Sequence, residues 1–122
     1  IVGAGKIGAA LAQYRGFTSR GFHVVGVYDR DPAKTGMNLG ALSVRSDTEL
    51  ERDIALHKPR IAVLAVPGEA AQAIVDRVVT AGLHAILSFA PAPLHAPQGV
   101  TIRAVNMATE LEILAYSLTH GV

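Results

Sequence analysis

The chain begins IVGAGKIGAALAQY, with glycines at positions 3, 5 and 8. This G-x-G-x-x-G spacing constrains the fold more than any other feature. Between a strand and a helix, the first glycine makes a tight turn and the second lets the backbone approach a pyrophosphate. The third lets the helix pack close to the sheet. Ile1 and Val2 read as the end of a strand, and residues 6–15 as a helix with Ile7, Leu11 and Tyr14 on one face. Glycine is common, so the alternative that the three serve packing alone stays open here. A strand of two residues is short against the usual length of about five or six. Strand one therefore reads as truncated, with more chain expected upstream.

The rest of the chain alternates strand-like and helix-like segments. HVVGVYD (23–29) is a β-branched strand ending in an acid, and DRDPAKTG is a turn in which Asp31 and Pro32 open a short helix. Ser46 and Glu49 form a capping-box pattern for a helix over 46–59, stopped by Pro59. RIAVLAVP (60–67) is nearly all apolar, as expected of a strand covered on both faces. Residues 68–82 predict a helix with Ala71, Ile74, Val75, Val78 and Val79 toward the sheet and Gly82 as its cap. A strand at 84–91, a Pro-rich loop at 90–99 and a fifth strand at 101–106 follow. The last helix, 108–120, carries Leu111, Leu114 and Leu118 on one stripe. The alternation predicts an α/β fold: a Rossmann-type parallel sheet in the order 3-2-1-4-5 with helices on both faces. Ligands of such sheets bind at the carboxyl ends of the strands, beside strand one.

Composition narrows the function. At 122 residues the chain is one domain's worth, and with 50% hydrophobic but 5% aromatic residues the aliphatic side chains must do the packing. The 11 basic and 10 acidic residues are scattered, so the chain lacks the clustered charge of a nucleic-acid-binding face. Cysteine is absent, which excludes disulfides, thiolate metal sites and thiol nucleophiles, and fits a reducing, cytoplasmic setting. No apolar run approaches the roughly 18 residues of a membrane span, and no n-region, h-region and cleavage-site pattern is read in these residues, so no membrane partner is expected.

The candidate ligand contacts are Gly3, Ala4, Gly5, Lys6, Ile7 and Gly8 of the turn, with Asp29, which lies 21 residues past Gly8 at the end of strand two. A carboxylate there accepts both adenosine-ribose hydroxyls and repels a 2′-phosphate, favouring NAD over NADP; Arg30 beside it can tolerate that phosphate. Asp31 is a candidate contact that competes with a capping role. Val66, Pro67 and Gly68 form the next loop at the same edge, and Phe89 and Ala90 end the following strand; a plain strand-to-helix turn is the alternative for each. The histidines at 23, 57, 84, 95 and 120 are dispersed, and only His95 falls in a loop near the cleft. No metal site and no catalytic residue is expected.

The segments GAGKIGAALAQYRGF, YDRDPAKTG, VPGEAAQ, AGLHAILSFAP and VNMATELEILAYSL together resemble the Rex family of bacterial redox-sensing transcriptional repressors, over essentially the whole chain. The same domain type is also labelled CoA-binding. The resemblance implies a Rossmann domain for NADH and NAD⁺ at residues 1–106, preceded by a winged-helix DNA-binding domain that this chain lacks. It implies a homodimer in which the C-terminal helix, 107–122, crosses to the partner subunit. NADH releases operator DNA and NAD⁺ permits binding. Gly3, Gly5 and Gly8 match the pyrophosphate turn, Asp29 the ribose acid, and Tyr14 a tyrosine near the nicotinamide end. That tyrosine's usual partner is an aspartate at the end of the last strand, where this chain has Asn106, followed by Met107. Two other readings are a CoA-binding domain of an acyl-CoA ligase-like protein, and the cofactor domain of an NAD-dependent reductase.

Overall fold

The computed structural model describes residues 1–120. The segment Ile1–Gly3 lies at the middle of the sheet. Val2 bridges in parallel to Tyr28 on one side and to Leu64 on the other. Its N–H donates to Val63 and its carbonyl accepts from Ala65, both at 2.8 Å. On the Val2–Tyr28 side stand β1 (Val27–Asp29), β3 (Leu42–Ser46) parallel to it, and the short antiparallel β2 (Asn38–Leu39). On the Leu64 side stand β4 (Ala62–Leu64), β5 (Ala85–Ser88) and β6 (Thr101–Ala104), all parallel. The order reverses direction at Val2, which makes the carboxyl end of that residue a topological switch point.

This arrangement corrects the five-strand order 3-2-1-4-5. The neighbour of β1 is β3, which the sequence reading left out; the 60–67 segment pairs with Val2 instead. LSVRS is short and half polar, because only Val44 on it is fully covered, so it carries no apolar run to mark it. The α/β class and the covered parallel sheet stand.

Helices cover both faces. Leu50 and Ile54 of α2 (Leu50–His57) and Ala71, Ile74, Val75 and Val78 of α3 (Gly68–Thr80) pack against Val2, Tyr28, Leu64 and Ile86. The α3 residues recur at three- and four-residue spacing, the stripe that a helix turns toward a sheet. Gly82, at φ +110, ends α3: its N–H reaches Val79 and that of Leu83 reaches Val78, both at 3.0 Å, the paired bonds of a Schellman cap. On the opposite face, Ala9 and Ala12 of α1 (Lys6–Ala12) lie against Val27, Leu39 and Val44.

The α1 face differs from the expected one. Small residues, Gly8, Ala9 and Ala12, face the sheet, while Ile7 and Tyr14 are 46% and 58% exposed. Close approach to the strands leaves no room for large side chains on the inner face, so the apolar stripe is displaced outward. The helix stops at Ala12, and Arg15–Arg20 continues as a 3-10 helix. The short helix expected after Asp31 is a turn. Ser46 does cap, accepting from the Thr48 N–H at 3.3 Å, but Glu49 binds Arg45 and Arg52 rather than closing the box.

Polar ties fix α2 to its neighbours. Asp53 is buried, accepts the Tyr28 hydroxyl at 2.7 Å and lies 2.9 Å from Arg45 Nε. Arg77 of α3 spans to Asp47 and Glu51 at 3.2 and 2.7 Å. The final helix, α4 (Met107–His120), is different in kind. Met107, Leu111, Ile113, Leu114, Tyr116 and Leu118 all stay exposed, Leu118 at 87%. The expected helix runs to 122; Gly121 and Val122 lie outside the described residues. No helix among the described residues is long and apolar enough to cross a membrane.

Candidate functional site

The turn at residues 3–8 sits at the switch point, and its three glycines are there for different reasons. Gly3 has φ +104, and a Cβ on it would overlap the Ala65 carbonyl oxygen. A Cβ on Gly8 would overlap the Gly3 carbonyl oxygen. Both are demanded by the chain's own backbone. Gly5 is not: its φ is −71, and the nearest atom to a Cβ there is Lys34 Nζ at 3.9 Å. Packing alone therefore explains Gly3 and Gly8 but leaves an open face at Gly5. The first N–H groups of a helix have no partner inside it, and those of Lys6, Ile7 and Gly8 begin α1 at this turn.

Asp29 stands behind the turn. Its Oδ2 accepts the Ala4 N–H and its Oδ1 the Asp31 N–H, both at 2.8 Å. The carboxylate thus ties the turn to the end of β1, and each oxygen keeps a second lone pair for a ligand hydroxyl. Asp31 spends Oδ1 on the Ala33 N–H at 2.9 Å, which supports the capping role considered for it and shapes the 31–36 turn.

The second loop closes on the same edge. Val66 Cγ1 is 3.1 Å from the position of a Gly3 Cβ, and Pro67 precedes α3. The Cβ position of Gly68 is 3.2 Å from the Pro91 oxygen, so the α3 start and the 88–92 segment are pressed together. The Phe89 N–H reaches Leu64 at 2.8 Å, and Ala90 is buried. Buried Ser88 turns the chain by accepting the Ala90 N–H at 3.1 Å. Gln72 then holds the Pro-rich loop by its backbone, donating to the His95 carbonyl and accepting from the His95 N–H, both at 2.9 Å. Sequence reasoning missed Gln72 and Lys34, because a lone amide and a lone lysine carry no local signal. Among the described residues no group of three His, Asp or Glu is placed to hold a metal ion.

A family model described as CoA binding domain matches residues 1–92. The chain belongs to this family. Curated proteins similar to it are redox sensors by name. The redox-sensing transcriptional repressor Rex of Desulforamulus reducens is 46% identical over 118 residues, covering 97% of this chain and 56% of that protein. The Rex of Streptomyces avermitilis is 47% identical over 116 residues, covering 95% of this chain and 46% of that protein. The solved structure of RSP, a Rex-family repressor, superposes with a TM-score of 0.92 at 33% identity over 98% of this chain. RSP in complex with β-NADH gives 0.92, and RSP with β-NAD⁺ and operator DNA gives 0.91. The resemblance read from the sequence is thus to the right relatives, and the chain spans about half their length.

Two residues that the Rex resemblance assigns to the ligand lie apart from the turn. Tyr14 is past the far end of α1, about 10 Å along the helix from the turn at 1.5 Å per residue. It packs edge-on against Phe17, centroids 4.8 Å apart, at an open cavity of about 420 Å³ on the amino edge of the sheet. Asn106 follows β6, three inter-strand steps of about 4.8 Å from Val2. Its Oδ1 accepts the Thr109 N–H at 3.1 Å, so it caps α4. Asn caps a helix as well as Asp does. Against the aspartate that the resemblance implies at this position, the amide keeps the cap, is neutral and adds two N–H donors.

Proposed function

We propose that this chain is the NAD(H)-binding, redox-sensing domain of a Rex-type transcriptional repressor. The observation that carries the proposal is the open face of Gly5, beside a turn that Asp29 holds in place. A side chain would fill that face; its glycine leaves it clear for the diphosphate of a dinucleotide. Bound there, the nicotinamide supplies a redox couple whose two forms differ by a ring charge. The turn Gly3–Gly8 and the first N–H groups of α1 hold the diphosphate, and Asp29 accepts ribose hydroxyls on its remaining lone pairs. Asp31, Val66–Gly68, Phe89 and Ala90 border the same edge.

The role is regulation rather than catalysis. Residues 1–106 bind the cofactor and α4 pairs two copies by crossing to the partner subunit. Support comes from α4 itself, whose Leu111, Leu114 and Leu118 are left largely exposed, and from Ile7 on α1 and Tyr14 just beyond it, which are exposed as well. Operator DNA is contacted through a winged-helix domain outside this chain, in the cytoplasm. RSP binds both cofactor forms and operator DNA in its solved structures, which supports this reading. A sensor needs the two forms to differ in affinity for two dimer states.

Calorimetric titration with NADH, NAD⁺, NADPH and CoA tests it. NADH binding more tightly than NAD⁺, with CoA silent, is the expected result. The family description favours one competitor, CoA, which also carries a diphosphate. Tighter binding of CoA, or equal binding of NADH and NAD⁺, overturns the sensor reading.

A further inference from the structure

One cation faces the open side of the glycine turn. Lys34 Nζ is the nearest atom to the missing Cβ of Gly5, at 3.9 Å. Its backbone is fixed from two directions. The Lys34 N–H donates to the Asp31 carbonyl at 3.0 Å, and Asp31 is itself bonded to Asp29. Two residues later the Gly36 N–H reaches Val44 of β3 at 2.7 Å, and the Met37 carbonyl accepts from the Val44 N–H at 2.9 Å. The turn is therefore tied to both β1 and β3, and Lys34 is half-buried rather than free in solvent.

The acids nearest in sequence are already engaged, Asp29 with two N–H groups and Asp31 with one. Among the described residues, the ion pairs involve Arg45, Arg52 and Arg77, and none involves Lys34. An ammonium with no carboxylate beside it, anchored against the one face of the turn that the protein leaves empty, is placed to meet an anion. Lysine suits this task as a compact point charge with three donors.

We infer that Lys34 is a cofactor-binding residue whose ammonium pairs with the dinucleotide diphosphate at the Gly5 face. This rests on the dinucleotide reading above. Lys34 closes the site from the β1–β3 side, opposite the start of α1, and adds the net positive charge that the turn's backbone lacks. It also makes binding depend on salt, because a solvent-accessible ion pair is screened over about 10 Å at 0.1 M.

The test measures the affinity of this chain for NADH and for ADP-ribose, at low and high salt, in the wild type, Lys34→Met and Lys34→Arg. Melting temperature checks that the variants fold. Lys34→Met is expected to weaken both ligands about tenfold at low salt, in line with one charge-assisted contact at a half-exposed site. Its salt dependence should flatten, and Lys34→Arg should stay within about threefold of wild type because the charge is kept. A folded Lys34→Met that binds both ligands with wild-type affinity and salt dependence overturns the inference and leaves the dinucleotide reading intact. So does a loss confined to NADPH in a parallel titration, which would place the ammonium at the ribose. Wild-type chain that binds neither NADH nor ADP-ribose overturns both.

Discussion

The three glycines of the turn differ enough that one substitution, made three times, separates folding from binding. Gly3→Ala puts a side chain at φ +104, which costs about 1–2 kcal/mol, and drives a Cβ into the Ala65 carbonyl. Forcing atoms into a filled site adds about 1–3 kcal/mol, so the total is roughly 2–5 kcal/mol. Gly8→Ala meets the Gly3 carbonyl, which is backbone and cannot swing aside. Gly8 has an ordinary helical φ, so only the overlap counts there, about 1–3 kcal/mol. Gly5→Ala meets only the end of a flexible lysine at 3.9 Å, at an ordinary φ of −71. Two small terms oppose each other there. Alanine restricts the unfolded chain, worth about 0.4–1 kcal/mol, and it caps a helix less well than glycine by a similar amount. Net stability should move by less than about 1 kcal/mol. For a domain of this size each kcal/mol shifts the melting temperature by about 3–5 °C. Thermal melts should therefore drop by roughly 6–25 °C for Gly3→Ala and about 3–15 °C for Gly8→Ala, and hardly move for Gly5→Ala. Titration with NADH should show the reverse for Gly5→Ala: a stable protein that has lost at least tenfold in affinity, because the methyl occupies the diphosphate face. A stable Gly5→Ala that binds NADH normally, or a Gly3→Ala that melts like wild type, refutes this account of the turn.

Two further outcomes follow from the polar ties and from α4. Burial works to raise the Asp53 carboxyl, but the Tyr28 hydroxyl and the Arg45 and Arg52 guanidinium groups outweigh it and hold it below its usual range. A depressed folded value means that Asp53 stabilises the fold above the ordinary carboxylate range and loses that contribution as pH falls through the folded value. Asp53→Asn should thus be less stable than wild type at neutral pH, and the gap should narrow below about pH 4 in a series of melts; a gap that stays constant argues against the ionic role. Leu111 and Leu114 are 64% and 61% exposed. If they pair two copies, Leu114→Lys removes about 3–6 kcal/mol from a symmetric interface, a weakening of more than a hundredfold, with no loss of far-ultraviolet helix signal beyond α4. Sedimentation should turn a dimer into a monomer, and wild type that sediments as a monomer at tens of micromolar contradicts the pairing.

The sequence by itself determined what local chemistry can encode. The glycine spacing, the acid at the end of the second strand, the apolar run at 60–67 and the stripe on α3 all express a period or a backbone demand within a few residues. Gly82 was legible as a cap for the same reason. Tertiary structure decided the rest. Parallel pairing joins residues far apart in the chain, so nothing within LSVRS announced that it lies beside β1, or that Val2 lies between the two halves of the sheet. The face that α1 turns inward depends on how near the strands come, which selects Gly8, Ala9 and Ala12 and leaves Ile7 outside. Which glycines the fold itself demands is a question of neighbouring atoms, answered by the carbonyls against Gly3 and Gly8 and the open space at Gly5. Lys34 reaches that face because a turn is pinned between two strands. Such a placement is made by hydrogen bonds to distant backbone, and no pattern in the chain's own order can carry it.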